Sequence, residues 1–239
     1  MNLILLFEDD FIDTSVVRLI GRRLAHVTSV HRAAVGDELV AGVANGKIGS
    51  GVITRLDGDA LEMRVTLDRD PPPPPLPLTL VLALPRPKVL NRVIASATSL
   101  GVKRIFLINA WRVEKSYWKS PRLSGENLLQ QRILGLEQAR DTILPAIELR
   151  RFFRPFVEDE LPAIIGDSLA LVAHPRAAIE CPRDVACEVT LAIGPEGGFI
   201  EEEIASLARI GFTPVSLGPR VLRVETAVVW SAARLLAAL

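Results

Sequence analysis

Two glycine-rich turns near the end of the chain are its best candidates for holding a small molecule. The apolar run Val189–Ile193 ends at Gly194-Pro195-Glu196-Gly197-Gly198, and the run 214–217 ends at Gly218-Pro219-Arg220. Glycine after a buried strand lets the backbone approach a ligand closely and adopt φ > 0 without steric cost. Because ligands of open α/β sheets bind outside the carboxyl ends of the strands, the two turns predict one small-molecule site.

The first turn matches neither of the common phosphate-binding motifs. No Lys-Ser or Lys-Thr pair follows its glycines, so it is not a P-loop. Its spacing also differs from the dinucleotide fingerprint, and it lies late in the chain. Alone, the sequence GPEGG is explained equally well by a tight strand-to-helix turn. The second turn, one short helix away, favours a binding site.

Positive charge is concentrated in the middle of the chain, although the whole chain has no net charge. Residues 76–124 contain nine Lys or Arg against one acid, Glu114, which gives +8 (9 − 1). Within this segment Trp111, Tyr117 and Trp118 alternate with basic residues. Basic groups can hold phosphates while aromatic rings stack on splayed bases. The segment therefore favours RNA binding, and the alternative is an ordinary loop with packed rings and solvated charges.

A run of five prolines divides the chain. Residues 70–77 read DPPPPPLP, which favours an extended polyproline II spacer. The predicted organisation is an N-terminal domain of residues 1–70, a linker of residues 71–77 and a C-terminal domain of residues 78–239. Turn signals about every ten residues separate the β-prone runs before the linker, and this predicts a small barrel of short strands. These runs are Glu38–Val43, 52–56 and 61–67.

Residues 15–25, ahead of those strands, have the apolar spacing of a helix. Such a helix places Arg18, Arg22 and Arg23 together on its polar side. A solvated helix face and a set of phosphate contacts both explain this cluster.

After the linker, apolar strands alternate with helical patterns, which predicts a parallel α/β domain. The predicted strands are 78–84, 104–110, 147–153, Leu169–Ala173, Val189–Ile193 and 214–217. The predicted helices are 88–100, 124–142 (ended by Pro145), 156–165, 201–210 and 225–239. The last helix is apolar on nearly every side, so it must be buried on most of them. A second copy of the chain is the simplest cover, and we expect a homodimer.

Several other classes of protein are disfavoured. No apolar run reaches the roughly 18 residues of a membrane span, and the N-terminus lacks the basic flank of a signal peptide. We therefore expect a cytoplasmic protein. Cys181 and Cys187 have no further Cys or His at metal-ligand spacing nearby, so we expect two reduced thiols and no metal.

The two glycine-rich turns also carry a family resemblance. Residues 193–199 (IGPEGGF) and 217–227 (LGPRVLRVETA) resemble the GPEGG-type and LGxRxLRxETA-type loops of RsmE-type 16S rRNA (uridine-N3) methyltransferases of the SPOUT class. Weaker matches are residues 100–102 (LGV) and 137–140 (EQAR). The module before the linker resembles the family's PUA-like domain, with His31-Arg32 and Gly36-Asp37 in register. The resemblance covers nearly the whole chain.

This resemblance implies a SPOUT-type parallel sheet with a deep C-terminal trefoil knot, preceded by a small PUA-like β-barrel. It also implies S-adenosylmethionine bound in the knot, at a site shared across a homodimer. The implied cofactor-binding residues are Leu171, Ala173, His174, Pro175, Ile193, Gly194, Pro195, Glu196, Gly197, Gly198, Phe199, Leu217, Gly218, Leu222 and Arg223.

Arg223 and Glu225 are the expected catalytic residues. Arg223 would hold the target phosphate or polarise a uracil carbonyl, and Glu225 would either partner Arg223 or cap the last helix. His174 would act as a base or simply line the cofactor site. The expected RNA-binding residues are Arg18, Arg22, Arg23, Arg32, Lys88, Arg92 and Arg112.

The expected activity is methylation of N3 of a uridine in small-subunit ribosomal RNA. The alternatives are methylation of another RNA position and a non-catalytic RNA-binding or ribosome-assembly protein on the same fold. Three departures from the family pattern leave the RNA target open. They are Ile200 after the glycines, residues 85–88 (PRPK) at the first helix of the second domain, and Val224 before Glu225.

Overall fold

The computed structural model describes residues 3–236, apart from the side chains of Val30, His31 and Asp68. Within it the chain forms two compact units. The N-terminal unit contains residues up to 74 and, in addition, residues 133–144. The C-terminal unit contains residues 75–132 and the chain from 145 onward. The match proposed for His31 and the last three residues of the predicted final helix lie outside what the structure describes.

The N-terminal unit is built on one curled six-stranded sheet in the order β1-β4-β5-β6-β3-β2. Only β1 and β4 pair in parallel; the other neighbours are antiparallel. The strands are β1 (Ile4–Leu6), β2 (Phe11–Asp13), β3 (Val16–Leu19), β4 (Glu38–Val43), β5 (Ile48–Leu56) and β6 (Leu61–Asp70). The strands predicted before the linker are confirmed. Alternating side chains, among them Val17, Leu19 and Met63, fill the core.

Residues 15–25 do not form the predicted helix. Val16–Leu19 is strand β3, paired antiparallel with β6, and the short helix α1 (Gly21–His26) begins at Gly21, which turns the chain at φ 59°. A π-helical turn, Val27–His31, continues α1. The strand is favoured because β6 supplies a pairing partner and burial alternates, with Val17 and Leu19 inside and Arg18 outside. Arg18 therefore does not share a helix face with Arg22 and Arg23.

The C-terminal unit is built on a six-stranded, wholly parallel sheet in the order β12-β10-β11-β7-β8-β9. The strands are β7 (Leu76–Ala83), β8 (Val102–Ile108), β9 (Ala146–Arg150), β10 (Leu169–Ala173), β11 (Val189–Ile193) and β12 (Thr213–Val215). All five residues of the near-central β11 are buried, as a strand covered on both faces requires. The prediction of a parallel α/β domain is confirmed.

Helices connect these strands close to the predicted positions. They are α2 (Pro87–Ser99), α3 (Gly125–Ala139), α4 (Phe153–Pro155), α5 (Leu161–Ile165), α6 (Glu201–Arg209) and α7 (Val224–Leu235). A π-helical turn (Phe156–Glu160) joins α4 to α5, and two 3₁₀ turns (Tyr117–Lys119 and Pro121–Leu123) precede α3. None of the helices in the described part of the chain is long and apolar enough to cross a membrane.

Helix α3 ends earlier than predicted. Arg140 adopts the left-handed conformation at φ 56°, so the helix stops at Ala139 and Pro145 plays no part in ending it. The following residues pack in the N-terminal unit, where Asn45 donates from its backbone to the Thr142 carbonyl at 2.8 Å. The Asn45 side chain in turn accepts from the Leu144 backbone at 3.0 Å.

Candidate functional site

A pocket of about 1090 Å³ opens at the carboxyl edge of the parallel sheet. Its walls come from the segments that follow β7, β8, β10, β11 and β12, and from the first turns of α6 and α7. The two glycine-rich turns therefore meet in one cavity. The expected cofactor residues that line it are Ala173, His174, Pro175, Ile193, Gly194, Pro195, Glu196, Gly197, Gly198, Phe199, Leu217, Gly218, Leu222 and Arg223.

Leu171 is the one expected cofactor residue outside this lining. It lies within β10, where it pairs with Leu191 on one side and Thr213 on the other, and its side chain is only 2% exposed. Its position inside the sheet core explains why it does not reach the pocket.

The first glycine-rich turn, residues 194–198, folds back tightly on itself. The Gly198 backbone donates to the Pro195 carbonyl at 2.8 Å, and Gly198 is left-handed at φ 72°. A Cβ on Gly194 would come within 2.8 Å of the Phe199 backbone nitrogen. Real Cβ atoms do not approach backbone so closely, so the compact shape of the turn requires glycine at 194.

Buried Glu203 connects this region to the loop after β8. Its carboxylate accepts from the Trp111 backbone at 2.7 Å and from the Ile200 backbone at 3.1 Å. The Ile200 side chain cannot accept a hydrogen bond from the first turn of α6, whereas Glu203, at the third position of the helix, accepts from the Ile200 backbone N–H as the acid of a capping box does. Glu203 is not among the residues predicted from the sequence, although an acid at the third position of a helix is a recognisable signal.

The second glycine-rich turn is held at its start by Ser216. The Ser216 backbone donates to Ile179 at 2.7 Å, and its carbonyl accepts from the Cys181 backbone at 2.9 Å. Gly218 follows in the left-handed region at φ 110°, which reverses the chain into the pocket wall. Leu217 and Leu222 are half-buried there and offer apolar surface to a ligand.

Arginine dominates the charged part of the lining. Six arginines face four glutamates, a balance of +2 (6 − 4), and this excess of positive charge suits an anionic ligand. The arginines are Arg86, Arg92, Arg112, Arg176, Arg220 and Arg223, and the glutamates are Glu196, Glu201, Glu202 and Glu225.

Two of the glutamates are engaged within the unit. Glu196 accepts from the Arg86 backbone at 2.9 Å, and Glu225 lies 3.3 Å from the guanidinium of Arg92 on α2. The partner of Glu225 in the structure is thus Arg92 and not Arg223. Arg223 is exposed at the N-cap of α7 and lines the pocket.

The expected RNA-binding arginines of the N-terminal unit differ in their surroundings. Arg23 donates to both oxygens of Asp10 and to the Leu5 carbonyl, so its guanidinium forms hydrogen bonds within the folded unit. Arg22 pairs with Glu137 at 3.0 Å. Arg18 and Arg32 are exposed. In the C-terminal unit, Lys88 is also exposed but does not line the pocket, whereas Arg92 and Arg112 do.

The three aromatic residues of the basic segment have different environments. The Trp118 indole donates to Asn109 at 2.8 Å, and the Tyr117 hydroxyl donates to Glu114 at 3.1 Å. Partial burial, assisted by Glu114, raises the pKa of Tyr117 above its ordinary value. Both rings pack against the core. Trp111, by contrast, is 79% exposed.

Comparison with known proteins identifies the family. A family model described as an RNA methyltransferase domain matches residues 72–236. The ribosomal RNA small subunit methyltransferase E of Treponema pallidum is 30% identical over 243 residues, which cover 99% of this chain and 91% of that protein. The chain belongs to this methyltransferase E family. The Mycobacterium bovis member is 28% identical, over 95% of this chain and 88% of its own.

Solved structures of the same fold include relatives of this methyltransferase E family member. The Neisseria gonorrhoeae methyltransferase E, bound to S-adenosyl methionine, superposes with a TM-score of 0.76 at 21% identity and covers 97% of this chain and 95% of its own. The Lpg2936 protein of Legionella pneumophila, in complex with the bound cofactor SAM, has a TM-score of 0.76 at 25% identity, with coverage of 98% and 96%. The resemblance read from the two turns is confirmed.

No cluster of three or more His, Cys, Asp or Glu able to hold a metal ion occurs among the residues of this methyltransferase E family member that the structure describes.

Proposed function

We propose that this protein is an S-adenosylmethionine-dependent methyltransferase that modifies N3 of a uridine in 16S ribosomal RNA. The observation that carries the proposal is the meeting of the two glycine-rich turns in one arginine-lined pocket at the carboxyl edge of the sheet. Membership of the methyltransferase E family and the bound S-adenosyl methionine of the gonococcal relative support it.

The residues of the pocket fit this cofactor. The volume slightly exceeds the roughly 300–1,000 Å³ of small-molecule sites, which leaves room for a cofactor and part of a nucleotide. Leu217, Leu222 and Ile193 offer apolar contacts for an adenine ring, and the glycine-rich turns offer backbone amides and carbonyls. When bound, S-adenosylmethionine supplies a methyl group made electrophilic by its sulfonium.

The location of Arg223 on the pocket wall supports a role for it at the nucleobase. Neutral uridine carries a proton on N3, and negative charge develops on the uracil carbonyls as that proton is lost. Arg223 and the N-terminus of α7, which begins at the next residue, both present positive potential to the pocket. We assign stabilisation of this charge to Arg223, and we assign proton acceptance to His174 at the end of β10.

Glu225 is assigned a positioning role. Its contact with Arg92 joins the first turn of α7 to α2 at the wall of the pocket, next to Arg223. By holding this turn, Glu225 would fix the direction in which the Arg223 side chain points from the start of the helix. A direct contact of Glu225 with the substrate is the alternative role.

A trefoil knot of the SPOUT class is part of the proposal. The connection between β10 and β11 contacts two later parts of the chain. Ile179 and Cys181 bond with Ser216, whereas Asp184 and Val185 donate to the carbonyls of Arg234 and Leu235. One set of contacts lies just before the second turn and the other at the end of α7. Together they support passage of the C-terminal segment through that connection.

A homodimer through the C-terminal region completes the proposed site. Val221 and Val229 are large exposed apolar residues on the second turn and on α7, and a second copy would cover them. The N-terminal unit is proposed to be a PUA-like module that contacts RNA through Arg18 and Arg32. The proposed place of action is the cytoplasm, on 16S rRNA or the small ribosomal subunit.

Cofactor binding is the first test. Isothermal titration calorimetry of the full-length protein with S-adenosylhomocysteine, and with ATP as control, should reveal selective binding of the former. Transfer of labelled methyl groups to unmodified 16S rRNA and to small subunits, followed by mapping of the product, identifies the nucleotide. A methylated position other than uridine N3 would replace the proposed target. RNA binding without cofactor binding or transfer would instead identify a non-catalytic protein.

The contribution of Arg223 is tested with Arg223→Ala. Loss of a charge-stabilising donor typically lowers turnover by about 10²–10³-fold. We expect such a loss in methyl transfer, with S-adenosylhomocysteine and RNA affinities within a few fold of the wild type. Unchanged transfer would remove Arg223 from the mechanism.

A further inference from the structure

Two large aromatic rings are exposed at the carboxyl edge of the parallel sheet, on neighbouring strands. Trp111 follows β8 and is 79% exposed, and Phe152 follows β9 and is 74% exposed. Ile108 and Arg150 are register partners at the ends of these strands, and the Asn109 backbone donates to the Arg150 carbonyl at 3.0 Å. The pairing therefore places the segments that carry Trp111 and Phe152 next to each other at this edge of the sheet.

Contacts within the C-terminal unit hold the backbone segments that carry the two rings. The Trp111 backbone donates to the buried Glu203 carboxylate at 2.7 Å. Next to Phe152, the ring of Phe153 packs against Phe199 of the pocket wall, with centroids 6.2 Å apart. The exposed rings are thus presented by rigid segments that touch the pocket, which reduces the entropy lost when a ligand binds to them.

Arginines lie close to both rings along the chain. Arg112 lines the pocket beside Trp111, and Arg151 and Arg154 flank Phe152 on the exposed surface. The guanidinium of Arg151 lies 5.5 Å from the ring centroid of Trp118, so its location is set by a contact. Exposed rings interleaved with cations match single-stranded RNA, whose bases stack while its phosphates pair with arginine.

We propose that Trp111 and Phe152 form a stacking platform for unpaired bases next to the target nucleotide, with Arg151 and Arg154 holding the phosphates between them. This inference rests on the proposed function, since it takes the pocket as the place where the target base enters. It extends the RNA site from the pocket toward β9, a direction to which the sequence analysis assigned no residue.

A second copy of this chain is the competing occupant of the platform. In a two-fold symmetric contact the same patch meets itself, so the cluster of Arg112, Arg151 and Arg154 would approach the same cluster of the second copy. Such like-charge contact is unfavourable. Charge complementarity therefore favours RNA on the platform.

The test compares full-length Trp111→Ala, Phe152→Ala and the double variant with the wild type. Ile179→Ala is the control, because Ile179 is also a large exposed apolar residue of this unit and accepts from Ser216 through its backbone carbonyl, which alanine keeps. Affinity is measured by fluorescence anisotropy with a labelled single-stranded RNA and with unmodified 16S rRNA. We expect each alanine to weaken binding at least about fivefold, Trp111→Phe to restore most of the affinity, and the control to match the wild type.

Salt dependence separates stacking from charge. The alanine variants should keep the wild-type slope of log affinity against log salt, whereas Arg151→Gln and Arg154→Gln should each reduce its magnitude by about 0.7. A double alanine variant that binds RNA within twofold of the wild type would overturn the platform. So would conversion of a dimer to a monomer by these substitutions in light scattering, which would assign the rings to subunit contact.

Failure of this inference is distinguishable from failure of the proposed function. Calorimetry with S-adenosylhomocysteine and methyl transfer by the wild type decide the function. The RNA affinities of the variants decide the platform. An active wild-type enzyme whose double alanine variant keeps full RNA affinity would retain the proposed function and lose the platform.

Discussion

Arg112 and Gly197 hold the loop after β8 against the first glycine-rich turn. The Arg112 guanidinium donates to the Gly197 carbonyl oxygen, and a Cβ on Gly197 would come within 2.9 Å of the Arg112 Cδ. The absence of a side chain at 197 lets the arginine stem lie directly on the turn. One residue therefore shapes the pocket wall and presents a positive charge to it.

Arg112→Ala should loosen the first glycine-rich turn. Removal of a charged donor at a partly solvated site is expected to weaken S-adenosylhomocysteine binding about fivefold or more, equivalent to about 1 kcal/mol. Calorimetry measures this change. Lys115→Ala, an exposed neighbour outside the pocket lining, is the matched control. Equal affinities for the two variants would show that Arg112 does not organise the turn.

Gly194→Ala should abolish measurable cofactor binding, because the new Cβ would meet backbone atoms of the turn, which cannot move aside as a flexible side chain can. Gly125→Ala is the matched control, since a Cβ there meets no atom within 4 Å. We expect the control to bind S-adenosylhomocysteine like the wild type. Wild-type affinity in Gly194→Ala would contradict the compact turn.

Glu203→Gln should destabilise the C-terminal unit by about 1–3 kcal/mol, because the amide would turn a donor toward one of the two backbone N–H groups that the carboxylate now satisfies. Denaturant unfolding measures the loss. The exposed neighbour Glu202 provides the control substitution Glu202→Gln, for which no change is expected. Equal stability of the two variants would mean that the bonds of Glu203 with the Trp111 and Ile200 backbones do not stabilise the unit.

The ion pair between Arg92 and Glu225 should contribute little to stability. Arg92 is largely exposed, and exposed pairs contribute about 0.2–1 kcal/mol. A double-mutant cycle with Arg92→Gln and Glu225→Gln measures the coupling energy. In the same variants we expect methyl transfer to fall less than tenfold, against the hundredfold or larger loss for Arg223→Ala. A loss in Glu225→Gln as large as that of Arg223→Ala would place Glu225 in contact with the substrate.

The two cysteines should react with thiol reagents at different rates. Burial raises the pKa of the Cys181 thiol, so less thiolate is present at a given pH, whereas Cys187 is exposed. We expect Cys187 to be modified at least about tenfold faster near pH 8, and Cys187→Ser to remove the fast phase. Two equally fast thiols would contradict this placement.

The raised pKa of Cys181 also affects the free energy of unfolding. Cys181 favours the folded state less as pH rises above the ordinary thiol pKa.

Local patterns were sufficient for most of the C-terminal unit. Continuous apolar runs predicted the buried strands because a strand covered on both faces has no polar side, and β10 and β11 have the predicted bounds. The glycine-rich turns predicted the pocket because parallel strands bring their carboxyl ends to one edge.

The remaining features depend on partners that a local pattern does not contain. Residues 15–25 fit a helical period and a strand period alike, and pairing of β3 with β6 decides between them. Trp111, Tyr117 and Trp118 look equivalent in the sequence, and only tertiary packing separates the exposed ring from the two packed ones. The exposure of Phe152 depends on how β9 joins the sheet, so no local pattern predicts it.

The return of residues 133–144 to the N-terminal unit affects how the protein is made. The proline run leaves the ribosome when the unit still lacks Glu137, the partner of Arg22, and Thr142, the partner of Asn45. These arrive about 70 residues later (144 − 74), which takes roughly 4–14 s at 5–20 residues per second. The first unit to be synthesised is thus completed only after two strands of the second unit, β7 and β8, have been translated.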